Sequence, residues 1–391
     1  MSNVSSSNSH KELIPKLHFN QFKENWNPYF FGALLEETDI RTKTENQDTL
    51  LSAAINGMFL NSELFGHQRG QSNKGYKLVQ HGDLILSTQN LHLGNANVNM
   101  RFEHGMVSPA YKTYRIVGCS SELLSHWVKS DKAKEFFFNA TTVGASVCRR
   151  NVEWETLYNQ IILLPQAEEQ SKIANFLSLI SERIEKQQNL VSALKSYKRG
   201  LSIAIFDKKS LITNSTIRTV TLGSFCNIIM GQSPDSASYN TEGVGLPLVQ
   251  GNADMKNGIT TPTKYTSNPT KTCDAGEIIL SVRAPVGSVG VSNQKICLGR
   301  GVCSISSPNN DYILQYLKHC EKQWRTLEQG GTFTAISGDD IKNFPLMLPN
   351  DTEIENIVRL LKGLDNLISR QELQLEKLIY CKQGLLQSLF I

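Results

Sequence analysis

The chain has 391 residues, a hydrophobic share of 40%, a charged share of 19% and a formal net charge of +4. That is the composition of an ordinary folded protein with room for two or three domains, and it excludes disordered, collagen-like and disulfide-dense chains. No run long and apolar enough for a transmembrane helix occurs, and the mild positive charge permits nucleic-acid binding without requiring it.

In chain order, residues 1–17 open with MSNVSSSNSHKEL, which is polar and Ser/Asn-rich, lacks an apolar core and is expected to be a disordered tail rather than a signal peptide. A globular block is expected over 18–163. It contains HGDLILSTQNLHLG (His81 to Gly94), an amphipathic helix over Ser121 to Phe138, a loop over Thr141 to Ala145 and a last apolar strand, QIILLP. A long helix over 164–206 and a linker over 207–217 follow. A second block, 218–347, repeats the order with AGEIILSVRAPVG (Ala275 to Gly287), a helix over Asp311 to Gln329, a loop over Gly330 to Thr334 and FPLMLP. A second long helix then occupies 348–391. The fold class expected is mixed α/β (α+β), built as an approximate twofold repeat of block and helix.

The two long helices carry the clearest signal. The stretch Leu164 to Phe206 aligns without a gap to Leu348 to Phe390, with 12 identities in 43 pairs. Such repeats set the architecture. Each copy opens with Leu-Pro and then places acids in its first turns (Glu168 and Glu169; Asp351 and Glu353), where they complement the helix dipole. Apolar residues recur at steps of four and three: Ile173, Leu177, Ile180, Ile184, Val191, Leu194, Leu201 and Ile205, matched by Ile357, Leu361, Leu364, Ile368, Leu375, Leu378, Leu385 and Leu389. A heptad seam of this kind predicts a coiled coil, here between two helices of one chain, each about 60 Å long at 1.5 Å per residue. The seam is interrupted at Gln187 and Lys198 in one copy and at Gln371 and Lys382 in the other. Packed antiparallel, Gln187 and Lys198 are expected to meet Lys382 and Gln371 and to fix the register.

The eight cysteines (Cys119, Cys148, Cys226, Cys273, Cys297, Cys303, Cys320 and Cys381) form no CxxC pair and no zinc-like spacing, so reduced thiols in a cytoplasmic protein are expected. No GxxxxGK[ST] phosphate loop occurs. NPYF (Asn27 to Phe30) lacks the second proline of an adenine-methyltransferase motif, Ile279 stands where a nuclease ExK triplet needs lysine, and the histidines form no HxxxH pair. No catalytic residue, metal ligand or cofactor site is expected. The loops GHQRGQSNKGYK, STQNLH, MGQSPDSASYN and QGGTFTAISG gather the Gln, Asn, Arg, Thr and Lys side chains that touch base edges and phosphates.

From Leu13 onward the chain resembles the DNA-specificity subunits of type I restriction–modification systems. The match is carried by IPKLHFNQF with Trp26, by the LP-initiated helices, and by GQSPDSASYN with GLPLVQGNA, ILSVRAPVG and GGTFTAI. The first block departs from the family pattern, lacking a GxSP loop and, after its LILS strand, an RxxxG turn. The resemblance implies two target-recognition domains, an antiparallel coiled coil that spaces them and docks methyltransferase subunits, and a bipartite asymmetric target in double-stranded DNA. It also implies two methyltransferase and two ATP-driven restriction subunits as partners, which carry S-adenosylmethionine, ATP and Mg, and a non-catalytic, cytoplasmic role in phage defence. The DNA-binding candidates are Gln232, Ser233, Arg283, Arg300 and Thr332 in the second block, and Arg69, Lys74, Gln89, Asn90, Arg149 and Arg150 in the first. A coiled-coil scaffold or antirestriction-like protein that binds no DNA is the alternative.

Overall fold

The computed structural model describes residues 13–65, 72–146, 149–207, 217–329 and 335–391. The chain divides into two compact units, Met1–Gln188 with Leu373–Ile391, and Asn189–Glu372. Each unit therefore holds one globular block, one half of the first long helix and the opposite half of the second. The architecture is mixed helix and sheet, and no helix of the described residues is long and apolar enough to cross a membrane.

In the first unit a four-stranded antiparallel sheet runs in the order Leu35–Thr38, Tyr111–Ile116, Leu84–Ser87, Ala96–Val98. The apolar run of GDLILS is its interior strand, buried at all four positions. Asp83 accepts the backbone N–H of Gln80 at 2.7 Å and closes the turn that leads into it. The core gathers Phe31, Leu84, Leu86, Tyr114, Trp127 and Phe137, and it continues into Ile173 and Leu177 of the first long helix and Leu386, Leu389 and Phe390 of the second. Fully burying a side chain such as Leu177 is worth about 1.5–3 kcal/mol, so the helix ends are fastened to the block by its own core.

The second unit repeats these devices. Ile278–Ser281, from AGEIILS, lies between Val302–Ser306 and Val289–Val291 in a six-stranded sheet. A five-stranded sheet holds Leu246–Val249 parallel to Ile296–Leu298. Its core joins Ile278, Leu280, Tyr312, Leu317 and Trp324 to Ile205 and Phe206, and to Ile354, Ile357 and Leu361. In both units the strand entering the block pairs antiparallel with the strand leaving it: Asn27–Phe30 with Ile161–Leu164, and Arg218–Thr221 with Pro345–Leu348.

Those exit strands shift the helix starts. The long helices span Ala167–Phe206 and Asp351–Leu389, each three residues later than the Leu-Pro pairs suggested. Leu164 and Leu348 are committed to ladders with Asn27 and Arg218. Asn350 then caps the second helix by accepting the N–H of Glu353 at 2.9 Å. Every apolar seam residue is buried or half-buried.

Three other expectations change. The helix expected over Ser121 to Phe138 is two helices, Ser121–Trp127 and Asp131–Asn139. Ser130 accepts the N–H of Ala133 at 3.1 Å and starts the second as a fresh N-cap. The helix expected over Asp311 to Gln329 likewise divides at Cys320 into Asn310–His319 and Glu321–Gln329. The division turns Trp324 inward to stack on Phe344 at 3.8 Å. The end of the expected disordered tail is tied down: Leu13 donates to Asn25 and Leu17 to the carbonyl of Ser388 at 3.0 Å.

Candidate nucleic-acid interface

In the second unit the strand Asn227–Met230 pairs with Val302–Ser306 and runs out into Gly231–Pro234. Gly231 donates to the carbonyl of Val302 at 3.0 Å and Gln232 to that of Leu298 at 2.9 Å. A Cβ at Gly231 would lie 2.1 Å from the carbonyl oxygen of Gly299, and one at Gly301 would lie 2.0 Å from that of Gln250. Three loop backbones therefore pack directly on one another, an approach that only glycine permits. The Thr270 hydroxyl donates to the carbonyl of Gln232, and the carbonyl of Lys271 accepts from Leu298 at 2.7 Å. On the far side Val282 donates to Gly301 at 2.9 Å and accepts from Ile336 at 2.9 Å, which sets Arg283 opposite Ala335.

This scaffold presents the side chains of Gln232, Lys271, Arg283 and Arg300, all exposed. None of the four makes a side-chain hydrogen bond or ion pair among the described residues. Three cations and an amide on mutually latched loops can hold a polyanion and read base edges. The forked guanidinium fits guanine O6 and N7, and the amide fits adenine N6 and N7. Val282, Val286, Leu298 and Val302 are buried beneath and keep the platform stiff.

Ser233, expected to read bases, is half-buried, and its hydroxyl oxygen accepts the backbone N–H of Arg300 at 3.1 Å. It positions Arg300. Thr332 lies outside the described residues. Lys271 and Thr270 escaped sequence reasoning, because their loop lies 38 residues from Gln232 along the chain. The only local signal was the polar, basic run NPTKTC.

In the first unit Gln89 and Asn90 follow the interior strand Leu84–Ser87. The backbone N–H of Asn90 donates to the Ser87 hydroxyl at 3.1 Å, and the Thr88 hydroxyl donates to the carbonyl of Ala110 at 2.8 Å. Their amides, and the ammonium of Lys74, are exposed and uncommitted among the described residues. Arg150 is not free. Its Nε donates to Thr141 Oγ1 and a terminal nitrogen to the Thr141 carbonyl, both at 2.7 Å, and its guanidinium lies 4.1 Å from the Phe138 ring centroid. That is a structural clamp on the hairpin of Thr141–Ser146 and Arg149–Val152. Arg69 and the side chain of Arg149 lie outside what the structure describes. Lys129 is likewise structural: its ammonium donates to the carbonyls of Ile55 and Ala96 at 2.8 Å and to Asn97 at 2.6 Å. Burial, helped by the charge of Lys382, pulls its pKa down to about 8.

Each seam lysine has an oxygen acceptor within its own unit. In the first unit Lys382 donates to the Ser181 hydroxyl at 2.7 Å, and burial lowers its pKa. Beside it His126 meets the Ser178 hydroxyl at 3.1 Å. In the second unit Lys198 pairs with Asp365 at 2.6 Å, and Gln315 donates to the other oxygen of that carboxylate at 2.7 Å. An ammonium has donors only, so it needs an acceptor; the Ser181 hydroxyl takes that role while placing its own proton on the Leu177 carbonyl. No cluster of three or more His, Cys, Asp or Glu able to hold a metal occurs among the described residues.

Comparison with known proteins agrees with this geometry. The family model of the type I restriction modification DNA specificity domain matches residues 214–378. The "Putative type I restriction enzyme MjaX specificity subunit" of Methanocaldococcus jannaschii is 30% identical over 345 residues, which is 83% of this chain and 76% of that protein. A chain from a structure of complex assembly and conformational transition in the type I R-M system matches with a TM-score of 0.62 at 26% identity, covering 93% of this chain and 97% of that one. The type I restriction-modification S subunit from M. genitalium matches with a TM-score of 0.61 over 97% of this chain and 99% of that one. At 15% identity it speaks to the fold alone.

Proposed function

This chain belongs to the specificity subunits of type I restriction enzymes, a non-catalytic family, and we propose that each of its two globular blocks reads one half of a bipartite, asymmetric duplex target. The observation that carries the reading is the latched loop platform of the second unit, with Gln232, Lys271, Arg283 and Arg300 exposed and without a side-chain partner among the described residues. The first block offers Gln89, Asn90 and Lys74 on a different loop framework, so its half-site differs in sequence. Arginine and lysine contacts to phosphate set register and make binding salt-dependent.

The two long helices pair antiparallel as a coiled coil that spaces the half-sites. Support comes from each unit, where the beginning of one helix shares a core with the end of the other. Two methyltransferase subunits dock on the outward faces of this pair. Within the first unit Leu179, Leu373, Ile379 and Tyr380 are exposed, and within the second Leu190, Tyr197, Leu360 and Leu367. Such apolar side chains on the solvated helices are what a docking partner would cover. Two restriction subunits join for cleavage. The partners bring S-adenosylmethionine, ATP and Mg, and the assembly works in the cytoplasm.

The test is a domain exchange in the reconstituted methyltransferase. Replacing residues 218–347 by the matching block of a relative changes one half of the methylated sequence and leaves the other intact. Loss of both halves, or retention of both, overturns the assignment of one half-site to each block.

A further inference from the structure

The first unit holds a cleft of about 350 Å3 between the strand Leu51–Ala54 and the turns at Ser87–Asn90 and Ser108–Tyr111. Its size falls within the roughly 300–1,000 Å3 usual for small-molecule sites. None of its 16 described lining residues carries a charge. Among them a phosphate, carboxylate or ammonium would find no counter-charge to offset its lost hydration, so this lining favours a neutral ligand.

The lining is polar all the same. Asn61 donates its amide to the Ser52 hydroxyl at 3.0 Å and keeps its carbonyl oxygen as an acceptor. Gln89 and Asn90 add two amides uncommitted among the described residues. Tyr76 and Tyr111 supply aromatic walls. The Tyr111 hydroxyl donates to the carbonyl of Ala53 at 3.1 Å, and Asn95 donates to the same carbonyl at 3.2 Å, so that wall is fixed before anything enters. Neutral walls, three aromatic side chains (Phe65, Tyr76 and Tyr111) and an edge of amides suit a flat neutral heterocycle with a hydrogen-bonding edge.

We propose that this cleft receives a nucleobase everted from the duplex beside the first half-site. The proposal rests on the reading that the first block binds double-stranded DNA, since Gln89 and Asn90 stand both on the expected reading loop and at the cleft. Eversion costs a few kcal/mol of unstacking and is offset by stacking and by contacts to the Watson–Crick edge. The block thereby reads one position by full enclosure of the base rather than through the groove.

The test uses the complex with its methyltransferase subunits and a duplex carrying its mapped target. 2-Aminopurine, or pyrrolocytosine at pyrimidine positions, replaces one base at a time through the first half-site and its flanks. Both fluoresce more strongly when unstacked. The expected result is a several-fold rise at one position other than the methylated adenine, which its methyltransferase everts for itself. Ala110→Trp, at an exposed rim residue, fills the cleft and abolishes that rise while the signal at the methylated adenine persists. Asn61→Leu removes the acceptor without closing the cleft and weakens the rise. Binding in a gel shift with no rise beyond the methylated adenine overturns the cleft proposal and leaves the DNA-reading proposal standing. Failure to discriminate the first half-site at all overturns the latter. Binding of free 2-aminopurine riboside at micromolar concentration without DNA would assign the cleft to a free nucleoside and overturn the everted base.

Discussion

Arg283→Ala separates reading from folding at a single position. The backbone around Arg283 is held from both sides: Val282 donates to Gly301 and accepts from Ile336, each at 2.9 Å, and Val282 is 3% exposed. The guanidinium itself is exposed and meets no partner among the described residues. Truncation at Cβ should therefore leave stability within about 0.5 kcal/mol of the parent. If the guanidinium forks onto a base, its loss removes about 1–3 kcal/mol of discrimination, about 5- to 150-fold between the right and wrong base pair at one position. The assay is methylation of a library randomised across the target, read by sequencing, with thermal melting alongside. Arg283→Lys keeps the charge and loses the fork, so it should relax specificity nearly as much as alanine does. A uniform loss of methylation across all sequences, restored by lysine, would refute base reading and make Arg283 a phosphate contact.

Arg150→Ala should behave in the opposite way, losing about 1–2 kcal/mol of stability through its two bonds to Thr141 and its contact with Phe138 while the recognised sequence stays the same; a relaxed sequence with an unchanged melt would reverse the assignment. His126 is buried, and its pKa is pushed down to about 4, first by desolvation and then by the charge of Lys382. The unfolded chain therefore takes up its proton first, so stability contributed at this site rises with pH between about 4 and 6.5; His126→Gln should flatten the melting temperature over that window, and an unchanged slope refutes the burial argument. Lys382→Met should raise the melting temperature, since an apolar seam residue avoids burying an ammonium that meets only a hydroxyl and lies near the charge of Lys129, and should admit self-association detectable by ultracentrifugation. Inserting seven residues into both long helices lengthens each by about 10 Å, or about three base pairs; methylation should move to the same half-sites with a longer spacer, and methylation at the original spacing and full rate would show that the helices are no ruler.

The parts of the fold legible in the sequence were those written as periodicity. The seam residues of the two long helices, Ile173 to Ile205 and Ile357 to Leu389, repeat with a spacing that only a packed helix face explains, and burial follows that spacing residue by residue. The strands of GDLILS and AGEIILS were legible for the same reason, as apolar runs bounded by a turn and an acid. Helix breaks were harder to see. Ser130 and Cys320 interrupt amphipathic patterns that read as continuous: the Ser130 cap bonds only Ala133, three residues on, and is one of several polar residues in that stretch, whereas the inward Trp324 stacks on Phe344 in a later element.

The candidate site was legible only in part, for a related reason. Composition picks out side chains able to touch DNA but says nothing of whether the fold has already used them. Arg283 and Arg150 look equivalent in the sequence, each an arginine near a strand end. The difference is that Arg150 has a hydroxyl and a carbonyl within reach on its own hairpin and a ring on the helix just before it, whereas Arg283 has none among the described residues. Ser233 and Lys271 show the converse. The serine's partner, the N–H of Arg300, is 67 residues away, and that bond makes it a positioning residue. The lysine reaches the platform because its own carbonyl accepts from Leu298, a contact no local pattern encodes. What separates a reader from a clamp is thus an unsatisfied donor, a property of the folded neighbourhood. The four side chains at Gln232, Lys271, Arg283 and Arg300, uncommitted among the described residues, are where target changes should concentrate when the loops are exchanged, while Ser233, Gly231 and Gly301 hold the frame that any reading residue must stand on.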